Sequence, residues 1–255
     1  MKQIVWTAAM AVFAGQAAAQ GGAQGSAQGA GPEWHGMAAL GVRSAPVFEG
    51  SDDYETRVIP FVSLDYGRIS FGRDGLAFTA FSDGGATFSA TIGYGGGRDG
   101  ADLSLPGQAD IDDSFSIGFV GTYETRIGRV YGSLQHYLAG TEGTSATVGL
   151  AKRAPITERL SLSADMSLTF SDDNYMQGYF GLDAAAALAA GRPTYDIDGG
   201  FRRARLGLGA SYRLSENLRL GAQISVSQLG SEVRDSPIVE EDLSVTGMVF
   251  LGFAF

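Results

Sequence analysis

The residues best suited to catalysis or metal binding are few and poorly spaced for either. The chain holds two histidines, His35 and His136, and no cysteine. A zinc site needs three or four His, Cys or carboxylate ligands, so neither histidine is expected to bind a metal. Ser133 lies three residues from His136, a spacing that puts the two side chains on opposite faces of a strand. No nucleophile–base pair emerges, and the sequence predicts a protein that is not an enzyme.

Two segments resemble ligand-binding loops but lack residues that such loops require. Asp110, Asp112 and Asp113 stand close together, yet the sixth-position glycine and distant glutamate of an EF-hand are missing. Gly95–Gly97 does not open a helix after a buried strand, as a phosphate-binding loop does. We interpret both as solvated loop segments and predict no cofactor.

The charge balance argues against a nucleic-acid partner. The chain carries 28 acidic and 18 basic residues, a formal net charge of −10. Nucleic-acid phosphates are bound by clusters of lysine and arginine, and an acidic chain without such clusters does not suit them.

The first residues have the pattern of an export signal. Lys2 precedes an apolar run over 4–14, and the Ala-x-Ala end at Ala17–Ala19 predicts cleavage of a signal peptide, 1–19. Residues 20–33 are Gly, Ala and Gln of low complexity and are expected to form a flexible leader. The rest, 34–255, is expected to be one domain in the cell outer membrane.

Alternation with period two dominates that domain. The clearest run places apolar side chains on one face and small polar ones on the other: Leu160, Leu162, Ala164, Met166, Leu168 and Phe170. Such runs last longer than the five or six residues of an ordinary strand, and about ten tilted residues cross a bilayer. The pattern predicts an all-β fold, a transmembrane antiparallel up-and-down β-barrel.

We predict about twelve strands, with ten as the smaller alternative because the third and fourth are weak. The predicted strands are 34–42, 55–66, 68–73, 76–82, 86–95, 114–124, 128–139, 145–153, 158–170, 200–213, 216–229 and 243–255. Connections at one end are short, and four of six at the other end are long, as in bacterial outer-membrane barrels. Within the longest, 171–199, the run Ala184–Ala190 predicts a short helix that could fold over the barrel mouth.

The alternation also assigns faces and an assembly signal. Predicted lipid contacts are Leu162, Met166, Leu220 and Ile224, and predicted polar lumen residues are Asp165, Arg205, Arg213, Arg219 and Gln223. Phe253 and Phe255 share a face in the last strand, and we interpret them as the aromatic signal read by the barrel assembly machinery. An aromatic belt at the membrane interface is the alternative.

Short motifs in the predicted outer loops resemble those of the MipA/OmpV family of outer-membrane proteins (proteins like the MltA-interacting protein). They are Pro46–Tyr54 after the first strand, Pro60 in the second, Tyr179–Gly181 in the long loop and Asp235–Val239 before the last strand. The family-motif residues that we single out are Pro46, Gly50, Ser51, Asp52, Tyr54, Tyr179, Phe180, Gly181, Asp235, Ser236 and Pro237.

The resemblance implies a non-enzymatic scaffold in the outer membrane, surrounded by lipid and lipopolysaccharide, that joins a lytic murein transglycosylase to a murein synthase. Other members of the family are linked to osmotic adaptation, adhesion or small-solute passage, so a channel or solute-binding barrel is the alternative. The family has no agreed catalytic residues, and none is carried over to this chain.

Overall fold

The fold is a closed antiparallel barrel of twelve strands, in a computed structural model that describes residues 33–73 and 75–255. Each strand pairs with its neighbours in sequence, and β1 closes the barrel by pairing with β12. The strands are β1 (Trp34–Pro46), β2 (Tyr54–Tyr66), β3 (Ile69–Gly72), β4 (Gly75–Asp83), β5 (Ala86–Gly95), β6 (Ser114–Glu124), β7 (Arg129–Tyr137), β8 (Thr144–Pro155), β9 (Leu160–Ser171), β10 (Gly200–Arg213), β11 (Leu218–Leu229) and β12 (Leu243–Ala254). The predicted twelve-stranded barrel is confirmed.

Within residues 33–73 and 75–255, four short helical elements lie in the outer connections. They are a 3₁₀ turn (Gly100–Asp102), α1 (Asp173–Phe180), α2 (Ala184–Ala190) and α3 (Ser231–Arg234). None of the helices in the described ranges is long and apolar enough to span a membrane. The predicted signal peptide, and the leader apart from Glu33, lie outside the described residues.

The alternating residues of the strands form an apolar outer surface and a lumen lined by small, polar side chains. Outward side chains of β9 and β11 are well exposed: Leu162 43%, Met166 57%, Leu220 42% and Ile224 51%. Their neighbours Asp165, Thr169 and Ser225 are buried inside the barrel. Apolar groups exposed in this way are stable when lipid covers them, as in outer-membrane barrels.

The register makes a direct prediction about substitutions in β9. Met166→Arg places a charge on the lipid face and is expected to cost about 2–4 kcal/mol at the bilayer midplane. Ser167→Arg points into the lumen, on the same face as the carboxylate of Asp165, and is expected to cost much less. The free energy of unfolding in detergent measures both, and equal costs would contradict the register.

The connections sort by end, as expected. The inner turns 67–68, 84–85, 125–128, 156–159 and 214–217 are short, whereas the outer loops 96–113, 172–199 and 230–242 are long. Loop 172–199 contains two helices where the sequence predicts one, because Asp172 caps an additional helix, α1.

β3 is too short to cross the membrane by itself. Its four residues span about 13 Å at 3.3 Å per residue, against an apolar band about 25 Å tall. It pairs with β2 only over Leu64–Tyr66. The turn between β3 and β4 therefore lies part-way along the barrel wall, and it brings Arg73 to the lumen.

Candidate functional site

The outer loops pack together across the mouth of the barrel. We call this assembly the plug and define it as loops 47–53, 96–113, 172–199 and 230–242. Its largest apolar cluster consists of Tyr175, Met176, Tyr179, Phe180, Ile197 and Val233, together with Leu229 at the end of β11. A second cluster joins Phe48 to Leu105 and Ile238, from three different loops. The plug thus has its own core, separate from the lumen below it.

Helix α1 supplies most of the first cluster, and local capping explains why it forms. The Asp172 side chain accepts hydrogen bonds from the backbone N–H of Tyr175 (2.9 Å) and of Thr144 (2.8 Å). Burial alone would raise the pKa of the Asp172 carboxyl, but these hydrogen bonds hold it below its ordinary value. The cap fixes the helix to the start of β8, and the helix ends at Gly181.

The family-motif residues converge in the plug from three loops. Ser236 Oγ donates to the carbonyl of Phe180 at 2.6 Å, and Tyr179 Oη accepts from the N–H of Glu49 at 3.3 Å. The carbonyl of Gly50 accepts from the N–H groups of Glu240 (2.7 Å) and Glu241 (3.0 Å). Gly50 has a φ of 105°, a conformation that favours glycine.

The remaining motif residues lie around these contacts. Ser51 is almost fully buried, and its Oγ accepts from the N–H of Asp53 at 3.1 Å. The N–H of Asp52 donates to Glu240 Oε2 at 3.4 Å, and Tyr54 Oη accepts from the N–H of Val245 at 3.0 Å. Pro46 ends β1, while Asp235 follows α3 and precedes Pro237.

A buried ion pair joins the plug to the barrel wall. Glu49 Oε1 lies 3.6 Å from Arg202 Nε, and Glu49 Oε2 lies 3.1 Å from Arg203 Nη1. The Arg202 guanidinium also lies 4.5 Å from the centre of the Tyr175 ring. Burial alone would raise the pKa of the Glu49 carboxyl, but the two arginines together hold it below its ordinary value.

A second buried cation, Arg98, lies within the plug and contacts Tyr179. Arg98 Nη1 donates to the carbonyl of Tyr179 at 2.6 Å, and its guanidinium lies 4.9 Å from the Tyr179 ring. Burial lowers the pKa of Arg98, although the arginine keeps its charge at neutral pH. The predicted site residues do not include Glu49, Arg98 or Arg202, because their charges become buried only when distant parts of the chain meet.

The Glu49 ion pair makes the plug sensitive to acid. Because the folded-state pKa of Glu49 lies below the ordinary value of 4.5, its contribution to stability is present above pH 4.5. That contribution is lost as the pH falls through the lowered pKa. Glu49→Gln leaves Arg202 without its carboxylate, and removing one partner of a buried pair costs about 3–5 kcal/mol.

We therefore expect wild-type loops to become cleavable by an acid-active protease only below pH 4.5 and to resist a neutral protease at pH 7. The Glu49→Gln variant should be cleaved by the neutral protease at pH 7. Glu142→Gln, at an exposed outer-loop carboxyl, is the control and should behave as wild type. Cleavage of Glu49→Gln at the wild-type rate at pH 7 would refute the ion-pair role.

Most of the charged side chains that line the lumen below the plug are arginines. Arginines on the inward face of the strands are Arg43, Arg57, Arg129, Arg153, Arg202, Arg203, Arg205, Arg213 and Arg219, and carboxylates on that face are Glu55, Asp65, Glu124 and Asp165. Of the predicted lumen residues, Asp165 and Arg205 lie at mid-depth and attract each other. Arg219 and Gln223 lie lower, whereas Arg213 is exposed at the inner rim.

A cavity of about 100 Å³ occupies the inner half of the lumen. Its polar lining includes Arg73, Arg153, Arg219 and Gln223, and its apolar lining includes Phe61 and Phe250. The two phenylalanine rings meet edge to face with their centres 5.4 Å apart. No aspartate or glutamate of the described residues lines this cavity.

The residues considered for catalysis and metal binding stay apart. His136 is exposed on the outer face of β7 and hydrogen-bonds Thr144 Oγ1 at 3.1 Å, and Ser133 lies on the opposite face. His35 lies near the inner end of β1. Asp110 and Asp113 accept hydrogen bonds from Gly100 and Gly97 within loop 96–113. Residues 33–73 and 75–255 contain no group of three or more potential metal ligands.

Several known proteins resemble this chain in sequence or in shape. "Putative outer membrane protein YiaT" of Escherichia coli (strain K12) is 26% identical over 97 residues, which cover 38% of this chain and 39% of that protein. The match thus spans about two fifths of the relative's length.

Two solved barrels are similar in shape. The translocator domain of autotransporter NalP from Neisseria meningitidis has a TM-score of 0.43 at 13% identity, over 94% of this chain and 93% of that one. An outer membrane channel from Pseudomonas putida F1 has a TM-score of 0.44 at 12% identity, over 90% and 97%.

The family comparison covers nearly all of the barrel. The family described as "MltA-interacting protein MipA" matches residues 38–255, a range that contains every predicted motif residue and the whole plug. The chain belongs to the MltA-interacting protein MipA family, as an outer-membrane β-barrel.

Proposed function

We propose that this protein is a non-enzymatic scaffold of the outer membrane that docks murein-processing enzymes at its inner, periplasmic end. The family description supports a lytic transglycosylase as one partner. A murein synthase as the second partner follows from the resemblance noted in the sequence. Export through a signal peptide cleaved after Ala19 belongs to the same proposal.

The observation that carries the proposal is the packed plug. It packs an apolar core and a buried ion pair across the outer mouth, an arrangement unlike the open outer vestibule of a general porin. The inner end is therefore the proposed docking surface. Its turns are short, and arginines are exposed there. These are Arg68, Arg126, Arg159 and Arg213.

Site-specific photo-cross-linking in cells tests the proposal. A photoreactive residue at Arg126 or Arg159, in separate inner turns, should give cross-links to a lytic transglycosylase or a murein synthase. The same residue at Leu188, which is 84% exposed in an outer loop, is the control and should give none. No murein enzyme captured from either inner position, or equal capture from Leu188, would refute the docking proposal.

A second candidate function is solute binding or passage, and the lumen cavity favours it. A scaffold has no need of an arginine-lined cavity beneath its plug, whereas a barrel that takes up solutes does. Single-channel recording on the purified barrel tests passage. Defined current steps would support it, and a silent barrel under all applied voltages would oppose passage without affecting the docking proposal.

A further inference from the structure

We propose that the inner half of the lumen is a binding site for a small organic anion, a carboxylate attached to a compact apolar body. Arg153 and Arg219 bind the carboxylate, and the apolar body packs beside Phe61 and Phe250. This inference specifies the solute class for the second candidate function and does not depend on the docking of murein enzymes.

The charged side chains at this cavity favour the binding of an anion. Arg153 and Arg219 lie close enough to repel each other, and neither forms an ion pair with a carboxylate of the described chain. Arg219 Nε is buried without a hydrogen-bond partner among the described residues. The nearby carboxylate of Asp165 interacts with Arg205 instead. Partly buried like charges are unfavourable until a counter-charge joins them.

The geometry of the donors suits a carboxylate. Arginine presents a planar fork of N–H donors, and charge-assisted hydrogen bonds from such forks are stronger than neutral ones. Gln223 and Ser163 also line the cavity, and Ser163 on β9 pairs directly with Arg153 on β8. Together these groups can satisfy both oxygens of one carboxylate.

The other wall of the cavity is apolar, and this selects the rest of the ligand. The rings of Phe61 and Phe250 are joined there by Met37 and Met248, whose thioethers adapt to irregular shapes. The volume of about 100 Å³ is comparable in order of magnitude with the roughly 150 Å³ cavity known to hold benzene. A single ring or a short branched chain therefore fits, and a bare inorganic anion would leave the apolar wall uncovered.

Access is from the inner end of the barrel. Arg219 is the second residue of β11, which starts at the inner rim, and Arg153 is two residues from the inner end of β8. The plug packs across the opposite end. A ligand thus reaches the arginines from the periplasm without crossing the plug.

Calorimetric titration of the purified full barrel in lipid nanodiscs tests the site, with benzoate as the probe. Benzoate should bind saturably, and neutral benzamide at least about tenfold more weakly, since a charged hydrogen bond is worth about one to two decades of affinity. Arg153→Gln and Arg219→Gln should each weaken benzoate binding about tenfold or more. Arg192→Gln makes the same charge change at an exposed outer-loop position and should leave the affinity unchanged.

Several results would overturn the site. Equal affinities for benzoate and benzamide would contradict the role of the ligand's charge. Equal losses of affinity in Arg192→Gln and Arg153→Gln would contradict the position of the site. If inorganic phosphate bound as tightly as benzoate, the apolar wall would have no role in binding. Heat-modifiable migration on gels shows that each variant is folded, so weak binding is not mistaken for misfolding. Benzoate binding by a barrel that passes no current would support the site while opposing passage.

Discussion

Replacing residues 173–198 with a short glycine–serine linker is expected to change a barrel with little or no conductance into a pore with large, stable current steps. The deletion removes α1, α2 and Ile197, and so most of the apolar cluster that fills the outer mouth. The twelve strands keep their ladders, because the segment lies between β9 and β10 and forms no part of either strand. A lumen of twelve strands is wider than the filled interior of an eight-stranded barrel.

The opened pore should also prefer anions. Inward-facing arginines outnumber inward-facing carboxylates, so anions are concentrated in the lumen at low salt and the preference weakens as salt screens the field. Reversal potentials across a salt gradient measure this preference. Leu188→Ser changes an exposed residue of the same segment and should leave conductance at the wild-type level. A deletion variant that stays closed would show that the plug does not block the barrel.

The sequence predicts the barrel well because one local rule governs most of it. Every strand that meets lipid on one face and lumen on the other needs alternating side chains, and a pattern such as Leu160–Phe170 can be seen without knowing its partners. Strand number and loop lengths follow from the same pattern. β3 departs from this rule because four residues carry too little alternation to specify a length.

The region around Arg202 shows where the rule breaks and why. Arg202 and Arg203 are adjacent, so a regular strand would turn one of them towards lipid. A register shift between Phe201 and Arg203 lets both arginines reach Glu49. Two consecutive arginines at the end of an otherwise alternating strand are the sequence signal that could have indicated a bulge there.

No local sequence pattern predicts the packing of the plug. Glu49 and Arg203 are 154 positions apart, and Glu49 and Tyr179 are 130 apart. Nothing in the composition of either loop specifies its partner. The family resemblance marks several of the residues involved, but it leaves them as separate motifs, and only the folded loops show that they form one packed unit.

Gly75→Val is expected to prevent stable assembly of the barrel, because glycine is required there for two independent reasons. The φ of Gly75 is 106°, which a β-branched residue adopts only under strain of about 1–3 kcal/mol. A Cβ at this position would also collide with the backbone carbonyl of Ile92 on β5, and forcing extra atoms into a packed site costs about 1–3 kcal/mol. The expected total is about 2–6 kcal/mol, comparable with the whole stability of many domains.

Gly247→Val provides the matched control for this substitution. Gly247 lies in β12, a Cβ added there would meet no atom within 4 Å, and valine favours strands. We expect it to assemble at the wild-type level, measured as the heat-modifiable band in isolated outer membranes. The contrast matters for the lumen, because the β3–β4 turn before Gly75 places Arg73 at the cavity. Equal assembly of the two variants would mean that this hairpin does not pack against β5 as described. The position of Arg73 at the cavity would then be contradicted as well.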